Sequence, residues 1–176
     1  MRKSPVAYLT DEEYSSLPAH MRALHVARSK VGEREVGGNN RGPFVERILA
    51  RLGLAPGNAW CATFVTTSLL DAGVPSQHLP KGPAAVWNWY KDAEKYGCVK
   101  KLGDRGDLAF FVNPSRKGHI GFVAERRNIV ARTIEGNTGP DGGRDGDGVY
   151  EKKRLFQGKW QAIDLPKYLK AKGYKE

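Results

Sequence analysis

The chain has 176 residues, 40% of them apolar and 27% charged, a composition that suits one soluble globular domain and excludes disordered and fibrous classes. Lysine and arginine outnumber the acids by 29 to 19, and the resulting +10 points to an anionic partner: nucleic acid, anionic lipid or a charged cell-wall polymer. Two cysteines, Cys61 and Cys98, are too few for a disulfide framework and lack C-x-x-C spacing, though a single bridge between them stays open.

The opening MRKSPVAYLTDEEYSS has no apolar h-region, and no segment reaches the roughly 18 apolar residues of a membrane span. Synthesis in a cytoplasm without a secretory signal is therefore expected. Thr10 and the carboxylate three residues on make a capping box, and Leu17, Met21, Leu24 and Val26 supply a helical stripe up to Gly32, with Pro18 restarting the helix. The cluster VGGNNRGP (36–43) breaks it. FVERILARLGL follows as a short amphipathic helix stopped by Gly53, and AWCATFVTTSLLDAG as a mostly buried helix ended at Gly73. Cys61 then falls in the first turn. PAAVWNWYKDAEKYG reads as a further helix that starts on its proline.

From there the period changes to two. Residues 107–113, 118–125, 129–136, 148–154 and 159–165 read as strands separated by turn residues, and LPKYLKAKG as a short C-terminal helix. Helices first and an antiparallel meander second is an α+β plan.

A cysteine in the first helical turn feels unpaired backbone N–H groups and the positive end of the dipole, which favour thiolate. The alternative is a small hydrophobe in a core helix. A nucleophile needs an imidazole beside it and a third group to orient the ring. His20, His25 and His78 read as ordinary helix or loop residues. His119 heads a strand between glycines, in GHIGFV. If Arg126-Arg127-Asn128 forms the hairpin loop, Glu125 faces Ile129 and His119 lies opposite Glu135, with Asn137 on the same face by alternation. A slip of one residue would send Glu135 to the other face.

Four stretches in order, W-C-A-x-F-V, G-D-L-x-F-F (106–111), G-H-I-G-F-V and E-G-N-T, resemble the CHAP domain, the cysteine/histidine-dependent amidohydrolases and peptidases of the NlpC/P60-like, papain-related group. Upstream, VGEREVGGNNRGPFVERILARLGL is similar to one phage-associated branch. The likeness spans about residues 26–163. It implies a papain-like α+β fold in a single catalytic domain over 1–176, with 1–25 an N-terminal helical extension, 26–163 the core and 164–176 a C-terminal helix.

The same resemblance makes Cys61 the nucleophile, His119 the general base and later acid, Glu135 its orienting carboxylate, and Asn137 a support. It implies cleavage of a peptidoglycan amide, muramoyl-alanine or within stem and cross-bridge peptides, through a thioester. The Cys61 N–H is the expected oxyanion donor, a contact typically worth about 2.7–4 kcal/mol. Asn58 is either a second donor or, preferably, the helix N-cap.

Around the site, Trp60, Trp87 and Trp89 either flank a substrate groove or fill the core, and core is preferred for at least two. Asn39 and Asn40 border the site or form a turn, the turn being preferred. Asp141, Asp145 and Asp147 evoke calcium, which some lysin CHAP domains bind, but the spacing is not that of a twelve-residue hand and a hairpin turn is simpler, so no metal or cofactor is expected.

A zinc amidase, a serine hydrolase and a glycosidase using Glu33 and Glu35 are each disfavoured by missing motifs or spacing. The expected partners are peptidoglycan and an anionic wall or outer-membrane surface. No nucleic-acid motif stands out, and a monomer is the default. A phage-type endolysin made in the host cytoplasm and acting in the wall or periplasm after release is the leading reading. An injected or secreted antibacterial effector, or an inactive basic binding protein, is the alternative.

Overall fold

A computed structural model describes residues 9–141 and 146–175. Helix α1 (Asp11–Ser16) opens with the expected capping box: Thr10 Oγ1 accepts from the Glu13 N–H at 3.1 Å, and Glu13 Oε2 accepts from the Thr10 N–H at 2.7 Å. Pro18, with fixed φ and no donor, then stands at the N-cap of α2 (Ala19–Ser29). Ala19, Ala23, Leu24 and Ala27 form the buried face of α2, and these small side chains let it lie close against α4 (Cys61–Asp71). The boundary expected at residue 25 thus falls inside a helix of the central packing.

Helix α3 (Pro43–Ala50) begins at a proline and buries Phe44, Val45, Ile48 and Leu49. Gly42 before it has φ 115°, and a Cβ there would stand 2.7 Å from the Val36 nitrogen, so only glycine fits. Helix α5 (Val86–Lys95) starts three residues after Pro83, not on it. The Pro83 carbonyl instead accepts from Thr66 Oγ1 and from the Trp89 indole, both at 2.9 Å. Asp164 caps α6 (Leu165–Ala171) by accepting from the Lys167 N–H.

The six strands are β1 (Val99–Lys100), β2 (Leu108–Val112), β3 (Gly118–Arg127), β4 (Val130–Thr138), β5 (Gly148–Leu155) and β6 (Gln161–Ile163). They form one antiparallel sheet in the order β1-β6-β2-β3-β4-β5. Strands β2 to β5 follow the expected meander, but β6 crosses back to pair with β2. That return buries Ile163 beside Leu108 on one face and Ala162 beside Ala109 on the other.

Leu108, Phe110, Ile120, Phe122, Ile134 and Ile163 pack under the helices, and Ala109, Val123, Ala131, Ala162 and Phe156 make a second, smaller core on the opposite face. The N-terminal helices thus lie on a six-stranded sheet, an α+β fold with Cys61 at the start of α4.

The β3–β4 hairpin corrects the expected register. Its loop is two residues, Asn128 and Ile129, with Arg127 paired to Val130 and Asn128 at φ 53°. Left alone, that pairing would set Glu135 across from Phe122, on the face away from His119. A β-bulge at Ala124 adds one residue, so Val123 pairs with Thr133 and Gly121 abuts Glu135. Glu135 is therefore a diagonal neighbour of His119 on the same face, not its direct partner.

Candidate active site

Cys61 is the first residue of α4 and 7% exposed. Its position follows from its neighbour. Trp60 is fully buried, its indole N–H donates to Glu35 Oε1 at 2.8 Å, and its ring meets Phe44 edge-on at 6.0 Å. Gly136 lies beneath it: a Cβ there would be 2.7 Å from Trp60 Cζ3 and 2.8 Å from Phe64 Cβ. Glu35 also accepts from the Asn40 N–H at 2.8 Å, and Asn40 donates to the Gly57 carbonyl at 3.2 Å, which ties the 36–43 loop to the turn before α4.

Asn137, at φ 55°, belongs to this clamp. With its amide oriented by the surrounding hydrogen bonds, Oδ1 accepts from the Trp60 N–H at 3.1 Å, while Nδ2 donates to the Gly146 carbonyl at 3.0 Å and to Asn40 Oδ1 at 3.3 Å. Simple alternation fails here, because the β4–β5 register shifts between Glu135 and Thr138. Asn137 fixes the start of the cysteine helix instead of bonding the imidazole.

His119, buried at the head of β3, donates from Nε2 to Glu135 Oε2 at 2.9 Å. Phe111 and Trp160 flank its ring, each centroid 6.5 Å away. Glu135 is fully buried and also accepts from Thr133 Oγ1 at 2.5 Å and, through both oxygens, from Arg154 at 2.8 and 2.5 Å. The Arg154 guanidinium stacks on Trp160 at 4.8 Å.

Burial alone would push the Glu135 carboxyl up, but Arg154 and His119 outweigh it and hold it at about 2. Burial likewise disfavours the His119 cation, yet Cys61 and Glu135 more than offset this and raise the imidazole to about 9. Among the described residues His119 Nδ1 has no hydrogen-bond partner, so Cys61 acts on the ring from close range without closing a bond of good geometry. Such bonds often tighten only when substrate is bound.

A cleft of about 260 Å³ opens onto Cys61 and Asn137, between Ala59, Ala84, Ala85 and Val86 on one side and Arg116, Lys117 and Gly118 on the other. A larger groove of about 780 Å³ lies by the β3–β4 turn, lined by Glu125, Arg127, Arg132 and Lys153, and contains neither thiol nor imidazole.

The residues around the site fall as follows. Asn58 is exposed and donates to the Ala55 carbonyl, while Trp60 occupies the N-cap position. Asn39 is exposed, and buried Asn40 makes the contacts instead. Trp60 and Trp89 are core, as preferred for at least two of the three, and Trp87 is part-exposed, with Arg116 5.3 Å above its ring. Both Glu35 oxygens are engaged, which removes it as a free acid. Cys61 and Cys98 are unbridged. Asp145 lies outside the described residues, Asp147 accepts from the Tyr150 hydroxyl, and no group of three or more potential metal ligands occurs among the described residues.

Sequence reasoning missed Arg154, Thr133 and the anchoring role of Glu35. The signal that could have found the arginine is the orienting carboxylate itself, because Glu135, once buried, needs a cation. No family model matches the chain, nor does any curated protein or solved structure.

Proposed function

We propose that this protein is a cysteine amidohydrolase or peptidase of the CHAP type that cleaves an amide bond in peptidoglycan. The observation that carries the reading is a thiol at a helix start beside an imidazole whose far nitrogen is held by a buried carboxylate. The elements differ in origin, one from the helical layer and two from the sheet; Cys61 lines the cleft, while His119 and Glu135 lie buried behind it.

In this mechanism the Cys61 sulfur attacks the amide carbon while the oxyanion takes hydrogen bonds from free N–H groups of the first helical turn. His119 Nδ1 carries the proton that goes to the departing nitrogen, so the C–N bond breaks and a thioester remains. Water then gives its proton to Nδ1 and its oxygen to the acyl carbon, and release of the carboxylic acid restores the sulfur. Glu135 keeps Nε2 protonated and thereby fixes which nitrogen exchanges protons.

The test is mass spectrometry of fragments from purified sacculi, wild type against Cys61→Ala. New amine and carboxyl termini with the wild type, absent with the variant, support the proposal and name the bond. Undegraded sacculi with folded wild-type protein, or equal cleavage by the variant, reject it.

A further inference from the structure

We infer that the cleft beside Cys61 is an anion subsite, and that the preferred substrate carries a carboxylate next to the scissile amide. The inference rests on Cys61 being the nucleophile of that cleft. Three observations lead to it.

Among the described residues the only charged ones lining the cleft are Arg116 and Lys117; the other described walls are alanines, Val86, Gly118, Asn137 and the thiol. A charge of one sign between low-dielectric walls focuses the field at the opening. No acid among the described residues forms an ion pair with Arg116 or Lys117, whereas other basic side chains of the sheet, such as Lys100, Arg126 and Arg132, have one.

The turn that presents them is also built. Asn113 closes it from both its backbone and its side chain: its N–H donates to the Lys117 carbonyl at 2.8 Å, its carbonyl accepts from the Arg116 N–H at 2.9 Å, and its Oδ1 accepts from the Lys117 N–H at 3.0 Å and from Ser115 Oγ at 2.8 Å. Arg116 takes the left-handed φ of 62° and lays its guanidinium over Trp87. A guanidinium stacked on one face keeps its in-plane donors for a carboxylate, and the ammonium of Lys117 adds a second point of charge.

Two alkylating reagents test this without any peptide. Iodoacetate and iodoacetamide both transfer their methylene carbon to the thiolate with loss of iodide, and they differ in carrying a carboxylate or a neutral amide. The readout is the ratio of their second-order rate constants at Cys61, followed by peptide mass mapping so that Cys98 is scored separately. Any general change in thiol reactivity, including the influence of His119, cancels in that ratio for variants that alter only the turn.

For the double variant Arg116→Gln/Lys117→Gln the iodoacetate preference should fall about fivefold, in keeping with two exposed charges. In the wild type it should shrink as ionic strength rises. Arg116→Glu should fall further still. A change of less than about twofold in both variants, with no salt dependence, overturns the inference. Paired peptide substrates with a free carboxylate or its carboxamide then check the same selection in kcat/KM. If sacculi stay intact while the alkylation ratio behaves as expected, the hydrolase proposal fails and the anion subsite stands.

Discussion

Arg154→Met removes the cation from a carboxylate that water does not reach. Glu135 would lose two hydrogen bonds, at 2.8 and 2.5 Å, and keep those from His119 and Thr133. Breaking one side of a buried ion pair costs about 3–5 kcal/mol, and the two remaining donors place this case near the lower end, at about 3 kcal/mol. For a chain of this size that corresponds to a drop in Tm of about 6–12 °C. Circular dichroism melts at pH 7 measure it.

The second variant decides the cause. Arg154→Met/Glu135→Gln removes the buried carboxylate together with its arginine, so it should recover more than half of the lost stability. A single variant melting within about 2 °C of wild type, or a double variant no better than the single, would refute the clamp.

Four further outcomes are expected. Because the folded His119 pKa lies above its ordinary 6.5, its contribution to stability is complete below that value and disappears as pH rises through about 9, so urea midpoints should fall over this interval and His119→Gln should flatten the trend. Glu135 works in the opposite direction: its support is present above 4.5 and lost as pH falls toward about 2, and Arg154→Met should move that loss to higher pH. Gly136→Ala presses a methyl into Trp60 and Phe64 and should cost about 1–3 kcal/mol by urea unfolding; a neutral result contradicts the packing. Asn137→Gly keeps the left-handed backbone while removing the acceptor for the Trp60 N–H, and should cost about 1–3 kcal/mol and slow Cys61 alkylation by iodoacetamide, whereas unchanged rates would show that the clamp does not position the thiol.

Much of the helical layer was legible because its signals are local: the Thr10 box, Pro18 and Gly53 each act within a few residues. Five of the six strands were legible for the same reason, and β1 (Val99–Lys100), two residues long, was not. Register was not. His119 and Glu135 were correctly placed on one face, but by a three-residue loop and direct pairing, where the molecule uses a two-residue turn and a bulge at Ala124.

Alanine carries no mark of a bulge, since any residue can be the extra one when its neighbours are pinned by the sheet. Asn137 was picked out, but its left-handed backbone sends the amide to Trp60, a contact nearly eighty residues away that no pattern announces. Arg154 escaped notice because a lone arginine after two lysines in a basic strand looks like its neighbours until Glu135 is known to lie buried on the adjacent strand.

Sulfur and imidazole are mounted on separate layers, the one on α4 and the other on β3, with no covalent shortcut between them. Their alignment is a measure of interlayer docking. As the protein warms, a slide of α4 over Gly136 will disconnect the two before either layer loses its hydrogen-bonded backbone. Thiol reactivity followed against temperature would then decline ahead of the far-ultraviolet signal, and the gap between the two curves gauges how firmly the helix is seated.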